Sequence, residues 1–68
     1  MKISPREKQI ICMLSLTTPE IAARLIISEK TVKTHIFNLF NKFNTDGRTK
    51  IIIEALKKGI VTLEELVI

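Results

Sequence analysis

One cysteine, one histidine, two glycines, two prolines and three aromatic residues, all phenylalanine, are all that the 68 positions hold of those types. The single thiol, Cys12, excludes an internal disulfide and cannot make a zinc site. It fits a reducing, cytoplasmic compartment. No run approaches the roughly eighteen apolar residues that cross a bilayer, so no membrane partner is expected. No apolar stretch follows the lysine of "MKISPREK", so no signal peptide is expected either. The means of catalysis are missing as well. There is no Ser/His/Asp or Cys/His arrangement and no glycine-rich phosphate loop, and Glu7 and Glu20 sit at capping positions. The chain is therefore not expected to be an enzyme, and neither a cofactor nor a metal is expected. Repeats and low-complexity tracts are absent too.

What is present is apolar and basic. Hydrophobic residues make up 46% of the chain, which argues for a compact fold rather than disorder. The length suits one small domain, 1–68, with a thin core in which caps and close packing matter. Eleven Lys and Arg against seven Asp and Glu leave a formal charge of +4, which favours an anionic partner, nucleic acid before a membrane surface.

Helix signals follow one another closely. In "SPREKQIICML", Ser4 is an N-cap, Pro5 occupies the first turn and Glu7 completes a capping box; Ile10, Ile11 and Leu14 form the buried stripe. "TTPEIAARL" repeats the pattern with Thr17, Pro19 and Glu20, and turns Ile21, Ala22 and Leu25 inward. Only "IIS" separates this helix from the next cap, Ser28. So short a link forces a sharp turn, the layout of a helix-turn-helix. The third helix runs to about Phe43 and stops at "NTDG". "RTKIIIEALKK" forms a fourth, closed by Gly59. "TLEEL" offers a last turn, with Thr62 and Glu65 at capping-box spacing.

On a wheel of about 100° per residue, Val32, Ile36, Leu39, Phe40 and Phe43 share one arc of the third helix. Lys30, Lys33, Thr34, Phe37 and Asn41 share another. Phe37 lies about 120° from the centre of the apolar stripe, which excludes it from the core. His35 flanks the core arc and reads as a packed structural residue. A face of lysine, threonine, amide and aromatic suits a major groove: lysine donates to guanine, asparagine pairs with adenine, and an apolar group meets a thymine methyl. Ser28, Thr31 and Lys42 are better placed for phosphate. The same face could also be a plain solvated surface, or a protein contact anchored by Phe37.

"SPREKQII", "EIAARLIISEKTVKTHI" and "GRTKIIIEALKKGIV" together resemble the LuxR/GerE-type helix-turn-helix of bacterial transcription regulators. The resemblance covers residues 3 to about 61, and a small stand-alone regulator is the nearest comparison within the family. It implies an all-α, compact four-helix bundle whose third helix, about 28–43, enters the major groove of double-stranded DNA. It further implies base-reading slots at Lys33, Thr34 and Phe37. Phosphate contacts are implied around Ser28, Lys30, Thr31, Asn38 and Lys42, with help from Arg48 and Thr49. RNA polymerase is a further partner consistent with such a regulator. Sigma-factor region 4 shares the first half of the central motif, but not usually the continuation at Thr34, His35 and Ile36. There are three departures. "LSLTT" is shorter than usual and lacks a glycine, Phe37 replaces a usually polar residue, and Ile51 replaces a small one.

The fourth helix has more apolar surface than one core needs. Either the segment after it folds back over the thin core, or a weak homodimer forms through Ile51, Ile53, Leu56 and Ile60, as the family suggests.

Overall fold

The computed structural model describes residues 1–67 and contains four α-helices: α1 (Pro5–Cys12), α2 (Thr18–Leu25), α3 (Glu29–Phe43) and α4 (Arg48–Lys57). A 3₁₀ turn, Leu63–Glu65, follows. The described residues contain no strand, and the isoleucine triplet 51–53 is helical. The all-α, four-helix expectation is met.

The caps form where the sequence places them. Ser4 Oγ accepts from Glu7 N at 3.1 Å while Glu7 Oε1 accepts from Ser4 N at 2.9 Å. Thr17 and Glu20 repeat the reciprocal pair at 3.3 and 3.0 Å. Ser28 Oγ accepts from Thr31 N at 3.0 Å. Each cap satisfies N–H groups that a helix start otherwise leaves unpaired. At its far end α1 stops earlier than its apolar pattern, at Cys12. The N–H groups of Met13 and Leu14 turn back to the carbonyls of Ile10 and Ile11, and this tightened turn still buries Leu14.

Two helix ends use left-handed residues suited to the task. Asn44 closes α3 at φ 53°, and Gly59 follows α4 at φ 72°. The N–H groups of Gly59 and Ile60 bond Leu56 O and Ala55 O, a Schellman closure. The sharp turn between α2 and α3 is different. There the left-handed residue is Ile26, at φ 56°, and its side chain is 89% exposed. A β-branched residue is poorly suited to this conformation, which costs an L-residue roughly 1–2 kcal/mol. Ile26 recovers almost nothing by burial. We expect Ile26→Gly to raise stability by roughly 0.5–1 kcal/mol, part of the relief being offset by the greater freedom of an unfolded glycine. The urea midpoint measures it, and a lower midpoint would contradict the strain assignment.

Helix α3 packs against α1, α2 and α4, and its contact with α2 is the most extensive. The core joins Ile10, Ile11 and Leu14 to Ile21 and Ala22, to Val32, Ile36 and Leu39, and to Ile51, Ala55 and Val61. Phe40 and Phe43 pack at its margin. Ile51 is completely buried, which corrects its assignment to a dimer surface: its direction on α4 is inward. The segment after α4 folds back. Val61 is buried, Leu66 packs against the core, and Val67 N donates to Cys12 O at 2.8 Å. Ser15 Oγ donates to Val67 O, and Lys8 Nζ pairs with Glu65 at 2.9 Å. Much of the apolar surplus near the C-terminus is thus used within the chain.

Candidate nucleic-acid interface

The outer surface of α3 is built by the caps at its ends and the apolar arc beneath it. With Val32, Ile36 and Leu39 buried, Lys30, Lys33, Thr34, Phe37, Asn38 and Asn41 all emerge into solvent. Phe37 is 63% exposed, as its angle on the wheel requires. The only carboxylate on α3 is Glu29, exposed at its first position, where it favours the helix dipole and borders the lysine face one turn before Lys33. His35 is half-buried, in keeping with a packing role.

The hydroxyls of this face are already partly committed. Thr34 Oγ1 donates to Lys30 O at 3.0 Å, so in this rotamer Thr34 offers a partner an acceptor and a methyl, but no proton. Ser28 Oγ and Thr31 Oγ1 share a hydrogen bond at 2.8 Å. Both remain exposed beside the N-terminus of α3, a place that attracts anions.

Lys42, exposed, and Arg48, half-buried, also hold parts of the fold together. Lys42 Nζ pairs with Glu7 Oε1 at 2.7 Å and donates to Lys2 O at 2.9 Å. One of its three protons is left for a phosphate. Burial pushes the Glu7 carboxyl up, but the Lys42 ammonium and the Ser4 N–H outweigh it and hold the group below its ordinary value. Arg48 donates from Nη1 to Leu16 O at 2.8 Å and from Nη2 to Thr18 Oγ1 at 2.7 Å. Its guanidinium therefore ties the start of α4 to the start of α2. Thr49 stays exposed.

These ties create a surface that sequence reasoning missed. Thr18, Lys33, Ile36, Phe37, Phe40 and Arg48 line an open notch of about 280 Å³ beside α3. Thr18 gave no signal in the sequence, because its partner lies 30 residues away. Lys50 is a second residue that sequence reasoning missed. It is exposed in the first turn of α4, whose N-cap, Gly47, supplies no side-chain bond. The string "GRTK" at a helix start was the available signal. Cys12 is half-buried, and burial pushes its thiol up, away from thiolate reactivity. Among the described residues no three His, Cys, Asp or Glu side chains gather as a metal site, and no helix is long and apolar enough to cross a membrane.

Comparison with known proteins agrees with this geometry. Residues 1–55 match the family model of bacterial regulatory proteins, luxR family. The chain is 40% identical over 63 residues to the spore germination protein GerE of Bacillus subtilis, covering 90% of this chain and 85% of that protein. It is 36% identical over 61 residues to the transcriptional regulatory protein LiaR of B. subtilis, covering 87% of this chain but 29% of the relative. It is 46% identical over 41 residues to the transcriptional regulatory protein DegU of Brevibacillus brevis, covering 60% of this chain and 17% of the relative. The chain thus spans most of one relative's length and less than a third of the longer regulators. No solved structure matches it. The match runs through α1, α2, α3 and most of α4. A sharply turned α2–α3 pair with a basic outer face, matched over residues 1–55, makes this chain a member of the luxR family of bacterial regulatory proteins.

Proposed function

We infer that the protein is a sequence-specific transcription regulator that binds double-stranded DNA in the cytoplasm, with α3 in the major groove. It acts by binding and performs no chemistry. The observation that carries this reading is the outer face of α3, where Lys30, Lys33, Thr34, Phe37, Asn38 and Asn41 are exposed together. Lys33, Thr34 and Phe37 face the bases, with Asn41 further along the same side. Ser28, Lys30, Thr31 and Asn38 meet phosphates, and Thr49 and Lys50 approach the backbone from α4. Lys42 and Arg48 act chiefly by positioning helices, with one ammonium proton of Lys42 still free for a phosphate. RNA polymerase is the protein partner such a promoter-bound domain would meet.

Binding should weaken steeply as salt rises, because each neutralised phosphate releases counterions. A protein contact anchored by Phe37 would show little such dependence. Lys33→Ala is expected to weaken binding to the preferred site by about 1–3 kcal/mol and to relax one base preference. Titration of preferred and scrambled duplexes separates the roles. Equal losses on both would reduce Lys33 to a phosphate contact.

A weak homodimer through α4 is the second part of the reading. Ile53 is 45% exposed, and Leu56 and Ile60 are half-buried on the same helix and just beyond it. A two-fold pair would present its reading helices to half-sites about one helical turn apart. Ile53→Lys should shift sedimentation toward monomer while circular dichroism stays helical. A wild type that remains monomeric at high concentration and on a two-site duplex would remove the dimer.

A further inference from the structure

We propose that Phe37, with Lys33 beside it, reads the C5-methyl of a pyrimidine lying within about two base pairs of a guanine, so that 5-methylcytosine is preferred to cytosine at that position as thymine is to uracil. This rests on the DNA-binding reading and specifies what α3 recognises.

The reasoning starts from the side chain that fits its surroundings least. Phe37 is the only large apolar group on the polar face of α3, and 63% of it is open to solvent. It forms one wall of the notch beside the helix, together with Ile36 and Phe40, while Thr18, Lys33 and Arg48 supply the polar margin. Arg48 spends its guanidinium on Leu16 O and Thr18 Oγ1. Lys33 is therefore the cation on this rim with its charge free to reach outward.

The base edges in a major groove are nearly all donors and acceptors. The exception among the four standard bases is the methyl on C5 of thymine. Pressed on the ring of Phe37, guanine O6, adenine N6 or cytosine N4 would lose water and gain no partner, which costs free energy. A C5-methyl loses nothing and gains apolar contact. The ring selects for that methyl and against the other edges. 5-Methylcytosine carries the same methyl on the same carbon. It shares its C4 amino group with cytosine, as thymine shares its C4 carbonyl with uracil, so within each pair the methyl is the only difference at this edge. Cytosine methylation at this position would then tighten binding, and the protein would sense the modification of its own site.

Lys33 fixes what lies next to the methyl. It precedes Phe37 by four residues on one helix face, a rise of about 6 Å, or about two base-pair steps. Its ammonium only donates, and guanine O6 and N7 are the paired acceptors that suit it.

The test begins with duplexes selected from random DNA by the intact chain. At each pyrimidine of the selected site, four versions are compared: thymine, uracil, cytosine and 5-methylcytosine, each with its pairing partner. At one position the wild type should prefer thymine to uracil by about fourfold, and 5-methylcytosine to cytosine by a similar factor, the worth of one buried methyl. Phe37→Ala should bring both ratios to one. Lys33→Ala should lose affinity while keeping both ratios. Phe37→Leu, which retains an apolar tip, should keep part of each. Ratios of one at every pyrimidine in the wild type, or ratios that survive in Phe37→Ala, would overturn the proposal alone. Binding no stronger than to scrambled DNA would overturn the DNA-binding reading, and the proposal with it.

Discussion

Replacing Ile51 by alanine should leave this domain near the edge of folding, while Ile53→Lys, two residues away, should leave it folded. Ile51 is fully buried where α4 meets the common core, and Ile53 is 45% exposed on the outer side. Removing the buried isoleucine deletes apolar contact and opens a cavity that α3 and α1 cannot easily collapse to fill, at a cost of about 2–5 kcal/mol. A domain of this size has only about 3–5 kcal/mol from its core. Most of the stability would be lost through one side chain. Chemical denaturation should show the Ile51→Ala midpoint close to zero denaturant and the Ile53→Lys midpoint within about 0.5 kcal/mol of the wild type. Equal midpoints would mean that the rotation of α4 is misassigned.

Lys42→Met should cost about 2–3 kcal/mol, less than the removal of one partner from a fully enclosed pair, because the lysine is partly solvated. Methionine keeps much of the apolar stem but leaves Glu7 without its counter-charge. The Glu7 side chain is only 6% exposed and lies 2.7 Å from the Lys42 ammonium. The pH dependence identifies the cause. In the wild type Glu7 is held below its ordinary value, so its contribution is complete above about pH 4.5 and fades as pH falls through the folded value. Without Lys42, the burial that raises the carboxyl would be opposed only by the Ser4 hydrogen bonds, and the folded value would move up. The variant's deficit should then be greatest near neutral pH and shrink on acidification, as the stranded carboxylate takes a proton. Glu7→Gln in the Lys42→Met background should recover part of the loss. A gap between variant and wild type that stays constant from pH 7 to pH 4 would assign the effect to packing rather than charge.

Ile51 and Lys42 also mark the limit of what the sequence reveals. The sequence pattern suits Ile51 to a dimer contact, yet the fold buries it; it suits Lys42 to an exposed position, where it does lie, but says nothing of its pairing with Glu7. Periodicity places a residue within an arc, but Ile51, Ile52 and Ile53 spread apolar character around half the circumference of α4. Only the position of α4 against α3 and α1 decides which of the three turns inward. Lys42 and Arg48 are long, flexible cations whose partners lie 35 and 30 residues away, and no local pattern records such a pairing.

The sequence by itself determined the helices, their starts and which face of α3 is exposed. Capping bonds join residues three apart, and the wheel depends only on the helix repeat, so Ser4–Glu7, Thr17–Glu20, Ser28 and the outward angle of Phe37 were readable one residue after another. The α2–α3 turn was also readable from the length of its link. That an isoleucine, Ile26, would hold its left-handed position was not, because the turn takes that conformation there against the residue's own preference. The tertiary structure alone decided that the tail returns to α1, that Ile51 is core, and that Arg48 joins two helix starts to form the notch beside Phe37. Each of these depends on groups far apart in the chain, whose meeting is fixed by how four helices fill one small core.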